Sequence, residues 1–164
     1  MSMYPSYSDE TIEETLNSQQ LRYVDHLAPL IVSPDSPVQE VIACMRAQKA
    51  DNVLICDGSR VIGIFTDRDY LDKVAGHTVA IETPIQELMT ANPVTLTKDH
   101  SMGDLIRTVV KDGFRHVPVL DADNKIVGVY TALTIVKFIA EHFPTEIFNL
   151  PANARRVMRN AEGA

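Results

Sequence analysis

The chain has 164 residues, 45% of them hydrophobic, and a formal charge of −7. That is enough apolar material for one domain or two small intertwined halves, while the acidic balance argues against a general nucleic-acid surface. The longest apolar runs, such as Val38 to Met45, fall short of the roughly 20 residues that cross a bilayer, so no membrane span is expected.

The predicted elements start with a helix over residues 8–25, capped by Ser8 and acidic in its first turns at Asp9, Glu10, Glu13 and Glu14, which favours the helix N-terminus. Leu30-Ile31-Val32 reads as a short strand. Ser36-Pro37-Val38-Gln39 then supplies an N-cap, a first-turn proline and a capping-box glutamine for a helix running to about Gln48. Apolar, β-branched runs at Asn52 to Cys56 and Val61 to Thr66 flank Asp57-Gly58-Ser59-Arg60, a hairpin signal because Asp-Gly accepts positive φ. A helix from Asp67 to about Ala75 follows. Thr83-Pro84 through Met89-Thr90 reads as a linker with one short helix.

The order then recurs. Val94-Thr95-Leu96 is a strand, Ser101 to Lys111 a helix capped by Ser101 and Asp104, and His116 to Leu120 and Ile126 to Tyr130 are strands before a closing helix from about Leu133 to His142. The segments Gly63-Ile64-Phe65-Thr66-Asp67-Arg68-Asp69 and Gly128-Val129-Tyr130-Thr131-Ala132-Leu133-Thr134 stand about 65 residues apart and carry the repeat. The copies are unequal, since only the first has an aspartate three residues after its threonine. An α/β fold of two β-α-β-β-α repeats is expected, with the halves paired because neither covers its own sheet at about 60 residues. The boundaries are read as an N-terminal extension over 1–26, repeats over 27–82 and 83–142, and a tail over 143–164.

These two segments, with Phe114-Arg115-His116-Val117-Pro118-Val119, resemble a tandem pair of CBS domains, the regulatory module of the cystathionine β-synthase type. The resemblance covers about residues 27–142. It implies repeats packed with pseudo-twofold symmetry into a disc with two clefts, many of which in this family bind AMP, ADP, ATP or S-adenosylmethionine, and a sensor rather than a catalyst. With the repeat filling most of the chain, the module is expected to act on a separate protein or as a free-standing sensor.

Carried onto this sequence, the resemblance puts Ile64, Thr66 and Asp69 of the first repeat opposite Val94, Thr95, Arg115 and His116 of the second. An ionised Asp69 is acceptor-only and suits paired ribose hydroxyls, Thr66 stands at a helix start that favours phosphate, and Arg115 and His116 supply charge-assisted bonds. Thr66 and Asp69 also form the spacing of an ordinary capping box, and His116 is equally a candidate for a satisfied strand histidine. The second cleft, with Ile31, Asn52, Arg68, Thr131 and Thr134, lacks the acid, and Asp51 stands where the other half has a cation. One nucleotide site per chain is therefore expected.

A second reading is a ligand-independent module that forms a homodimer through the helices after each last strand, around Tyr70, Leu71 and Val74 and around Ile135, Val136, Phe138 and Ile139. In it, the N-terminal helix or the tail apolar residues Phe143, Ile147, Phe148 and Leu150 dock a partner. An enzyme is not expected, because the five histidines are dispersed and no Ser-His-Asp, Cys-His, HExxH or Walker pattern occurs. Cys44 and Cys56 lack CxxC spacing and are read as buried thiols, with no metal site. Met1-Ser2-Met3-Tyr4-Pro5 has no basic-then-apolar order of a secretion signal, so a cytoplasmic location is expected.

Overall fold

The computed structural model describes residues 11–144. The elements are α1 (Ile12–Ser18), β1 (Ile31–Val32), α2 (Val38–Gln48), β2 (Asn52–Asp57), β3 (Arg60–Thr66), α3 (Asp67–Lys73), β4 (Thr90–Ala91), β5 (Leu96–Thr97), α4 (Met102–Asp112), β6 (His116–Leu120), β7 (Ile126–Thr131) and α5 (Ala132–His142). Short 3-10 turns at Leu21–Tyr23 and Ile85–Glu87 precede β1 and β4. The strand-helix order therefore occurs twice, as the repeat predicts.

One sheet has the order β1-β2-β3-β4 and the other β5-β6-β7. In each, the first strand runs parallel to the second, and the second pairs antiparallel with the third. The turn between β2 and β3 is at Gly58, whose φ of 59° is the left-handed geometry expected of Asp-Gly.

Successive strand residues point to opposite faces, and here both faces are covered. Val53 and Ile55 of β2 and Phe65 of β3 join Val38, Val41 and Met45 of α2 in the first core. The intervening Leu54, Cys56 and Ile64 turn the other way and meet Val129 of β7, forming a small cluster shared between the repeats. Met102 and Leu105 of α4, Val117, Val119 and Tyr130 make the second core. Pairing of the halves is thus carried by the alternate residues of β2 and β3, which explains why β2 is buried from Asn52 to Cys56.

The lead-in to each repeat belongs to the opposite half. Ile85, fully buried, fills the first core, while Leu21, equally buried, fills the second. Val38 N–H donates to Thr83 C=O (2.9 Å), and Met102 N–H donates to Gln19 C=O (2.8 Å), so each 3-10 turn is tied to the start of the other repeat's first helix. Farther along, β4 adds to β3 through Gly63–Ala91 and Ile64–Thr90, and Leu27 and Val129 exchange two backbone bonds of 3.0 Å. What the sequence marks as a linker is structurally the counterpart of the segment after α1.

Some local expectations shift. The N-terminal helix spans seven residues rather than 8–25, because Thr11 and Glu14 form the capping box and Gln19 has left helical geometry; Ser8 lies outside the described residues. Before α2, the N-cap is Pro37, with no side-chain cap, since Ser36 Oγ meets Ser33 Oγ at 3.1 Å and Gln39 Nε2 donates to Glu82 Oε1 at 3.0 Å. The strand expected at Val94 begins at Leu96, and α3 ends at Lys73. Cys56 is buried, whereas Cys44 is exposed on the outer side of α2. The tail residues Ile147, Phe148 and Leu150 lie outside the described residues, while Phe143 packs into the second core.

Candidate ligand cleft

Thr66 ends β3 and caps α3. Its Oγ1 accepts Asp69 N–H at 3.3 Å, while Asp69 Oδ2 accepts Thr66 N–H at 3.0 Å and Thr66 Oγ1–H at 2.8 Å. The other carboxylate oxygen, Oδ1, takes Lys73 Nζ at 2.6 Å and Thr90 Oγ1 at 2.9 Å, and Lys73 also donates to Leu88 C=O at 2.8 Å. Asp69 is 9% exposed. A carboxylate offers about four lone-pair sites, so Asp69 is saturated by the chain itself. Burial pushes its carboxyl upward, but the bonds from Lys73, Thr66 and Thr90 outweigh that and hold it below the ordinary carboxylate range.

His116 opens β6, and its Nε2 donates to Asp51 Oδ2 at 3.0 Å across the line between the repeats. Its side chain is 10% exposed against 57% for Asp51. Asp51 Oδ1 accepts Asn52 Nδ2 at 2.9 Å, and Asp51 C=O accepts Asp67 N–H at 3.1 Å, which fixes Asp51 at the start of α3. Desolvation works against the Asp51 charge, yet the bonds from Asn52 and His116 leave its carboxyl below the usual range. Arg115 is exposed and makes no hydrogen bond or ion pair among the described residues.

The first-cleft residues thus divide. Thr66 and Asp69 form one bonded group, and Ile64 is buried just before them in the shared cluster. His116 reaches the same junction through Asp51 rather than through Asp69. Val94 is 40% exposed. Thr95 stands with the hairpin tips, where it lines a cavity of about 430 Å³ together with Ser59, Arg60, Asn92 and Asp123. Those tips are at the other end of β3 from Thr66.

In the second repeat, Thr131 and Thr134 repeat the capping box, with Thr134 Oγ1 accepting Thr131 N–H at 3.1 Å. Phe138 occupies the place of Lys73 one turn later. The space is open here, and Thr131 and Thr134 line a cavity of about 400 Å³ with Tyr23, Asp25, His26, Leu27 and Lys137. Ile31, Asn52 and Arg68 do not line it; Asn52 is committed to Asp51, and Arg68 stands 3.8 Å from Asp72. Sequence reasoning passed over Lys73 and Thr90. Lys73 had a signal, since it lies four residues after Asp69 on one helix, but Thr90 had none.

Among the described residues, no group of histidine, cysteine and carboxylate side chains is arranged to hold a metal, and no helix is long and apolar enough to cross a membrane.

A duplicated β-α-β-β-α unit whose lead-ins are exchanged between halves defines a class of paired two-repeat folds. The family model for the CBS domain matches residues 24–76 and 85–141, so the chain belongs to the CBS domain family. The carnitine transport ATP-binding protein OpuCA of Listeria monocytogenes is 23% identical over 131 residues, which is 80% of this chain and 32% of that protein. CBSCBSPB3, a CBS domain-containing protein of Arabidopsis thaliana, is 27% identical over 129 residues, 77% of this chain and 23% of its own length. The chain therefore spans about a third or less of these relatives. Among solved structures, CBSX2 in complex with AMP has a TM-score of 0.62 at 23% identity, covering 76% of this chain and 98% of that one. The CBS domain pair of protein MJ0100, in complex with 5′-methylthioadenosine and S-adenosyl-L-methionine, has a TM-score of 0.65 at 20% identity, covering 75% and 97%.

Proposed function

We propose that this chain is a regulatory module that binds an adenosine-containing ligand, of the AMP, ADP, ATP or S-adenosylmethionine class, in the first cleft, and that binding alters a partner protein or the module's own assembly. The observation that carries the reading is the Asp51–His116 contact, which brings the start of β6 against the start of α3, where Thr66 and Asp69 stand. Relatives of the same fold hold AMP or S-adenosylmethionine, which supports the ligand class. In this reading the ribose replaces Thr90 or Lys73 on Asp69, the base lies along Ile64 and Val94, and Arg115 meets the ligand's tail. Breaking the link from α3 to β4 is how occupancy reaches the rest of the fold.

Thermal denaturation with each ligand tests this directly. A compound at a hundred times its dissociation constant stabilises the folded chain by about 2.7 kcal/mol. A melting temperature unmoved by all four compounds would overturn the reading.

One observation favours a second reading, the homodimer. Leu71 on α3 and Leu133 and Val136 on α5 are 59–63% exposed, more aliphatic surface than these helices need facing water. Light scattering on the wild type and on Leu71→Glu decides whether this face joins two copies.

A further inference from the structure

The cavity of about 400 Å³ in the second repeat has two walls. One is α5, with Thr134 and Glu141, and the other is the segment before β1, with Tyr23, Asp25 and Leu27. Tyr23 and Leu27 line it yet are 76% and 54% exposed, so this wall offers uncovered apolar surface. Asp25 and Glu141 make no ion pair among the described residues. The chain leaves the described residues beside this cavity, just after Pro144. Phe143 is held in the second core with Phe138, which also lines the cavity, and Glu141 stands three residues before Pro144.

We propose that the tail of this same chain, residues 145–164, docks in the cavity, with Ile147, Phe148 and Leu150 set against Tyr23 and Leu27. The sequence supplies the complement, since those three apolar residues fall within the six from Thr145 to Leu150. Charge agrees in sign. With histidines counted as neutral, the lining holds Asp25 and Glu141 against Lys137, while the tail carries Arg155, Arg156 and Arg159 against Glu146 and Glu162. Length is no barrier, because the lining runs about 10 Å along α5 from Thr134 to Glu141 and six extended residues span about 20 Å. So short a tether holds the tail at an effective concentration on the order of millimolar, which favours it over a second copy or a separate protein. A docked tail closes this cavity to small molecules, whether or not the first cleft takes an adenosine compound.

Fluorescence tests this on the full chain, which has no tryptophan, so Phe148→Trp places the one indole on the tail. Its emission should be shifted to the blue of free tryptophan. Acrylamide should quench it about threefold less than in Phe148→Trp combined with Leu27→Asp or with Tyr23→Asp, each of which puts a charge on the apolar wall. Both wall side chains are more than half exposed, so the fold should keep either change, and a melting curve for each checks that it does. An unshifted, freely quenched indole in Phe148→Trp alone overturns the docking without recourse to a wall variant. Protection that survives both wall changes places the tail elsewhere and overturns it too. Protection that grows with protein concentration assigns the cavity to another copy's tail, which equally overturns docking within one chain.

Discussion

Lys73 Nζ lies 2.6 Å from Asp69 Oδ1, one helical turn away, whereas the matching places in the second repeat hold Phe138 and Thr134. Two copies of one fold thus close the first junction with an ion pair and leave the second open onto a cavity. Asp69 does structural work before any ligand arrives, because it caps α3 and ties it to Thr90. Asp69→Ala should cost about 2 kcal/mol of ligand-free stability, from the lost cap and the lost bonds to Lys73 and Thr90. Thr134→Ala, a cap alone, should cost about 1 kcal/mol or less. Urea denaturation separates them. The ligand-induced shift should vanish in Asp69→Ala and survive in Thr134→Ala, and Lys73→Met, which frees Oδ1 for a ribose, should tighten binding.

The two glycines that open the repeated segment serve close approach. A Cβ on Gly63 would run into the thioether of Met89, and one on Gly128 into the ring of His26. Met89 packs against the first core, whereas His26 is exposed and stands edge-on to Tyr130 with ring centroids 6.0 Å apart. Gly63→Ala should therefore cost about 1–3 kcal/mol, as overpacking does. Gly128→Ala should cost less, since the histidine ring can swing into solvent. The paired change Gly128→Ala with His26→Ala should recover most of the loss, as thermal melts of the single and double variants would show.

The segment before β1 is part of the second core. Tyr130, buried, donates its hydroxyl to Leu21 C=O and to Val24 C=O, the latter at 3.2 Å, and burial with the nearby Asp25 carboxylate pushes its phenol up to about 12. Tyr130→Phe should cost about 1–2 kcal/mol because two inward carbonyls lose a donor. Leu21→Ala should cost about 2–5 kcal/mol through the cavity it leaves. Hydrogen exchange at Arg22 and Leu27 should quicken in both variants. If the segment were a loose extension, neither change would matter.

Acid should weaken the fold through its capping carboxylates. Asp104 accepts the Ser101 N–H at 2.8 Å and pairs with Arg107 at 2.7 Å; the backbone bond leads in lowering its carboxyl to about 2. Its folded pKa lies below the unfolded one, so its contribution is complete above about pH 4 and is lost as pH falls toward 2. With the side chain 35% exposed, screening reduces that contribution to about 1 kcal/mol. Asp69 and Asp51 shift in the same direction and add to the acid sensitivity. Melting temperatures from pH 6 to about pH 2 should fall more steeply for wild type than for Asp104→Asn.

The sequence by itself determined the duplicated strand-helix order, the hairpin at Gly58 and the capping boxes at Thr66 and Ser101. These depend on periodicity, turn geometry and spacings of three residues, all of which act locally along the chain. Only the tertiary structure decided that Leu21 and Ile85 fill each other's half of the molecule, that Thr90 takes a lone pair of Asp69, and that Asp51 claims the imidazole of His116. Each of those contacts joins residues far apart in the chain. An unpaired sequence position does not reveal which distant donor satisfies a carboxylate, because hydrogen bonds form only after burial has brought the partners together. The same limit hid the exchange of lead-ins, since an apolar residue advertises that it will be buried but not in which core.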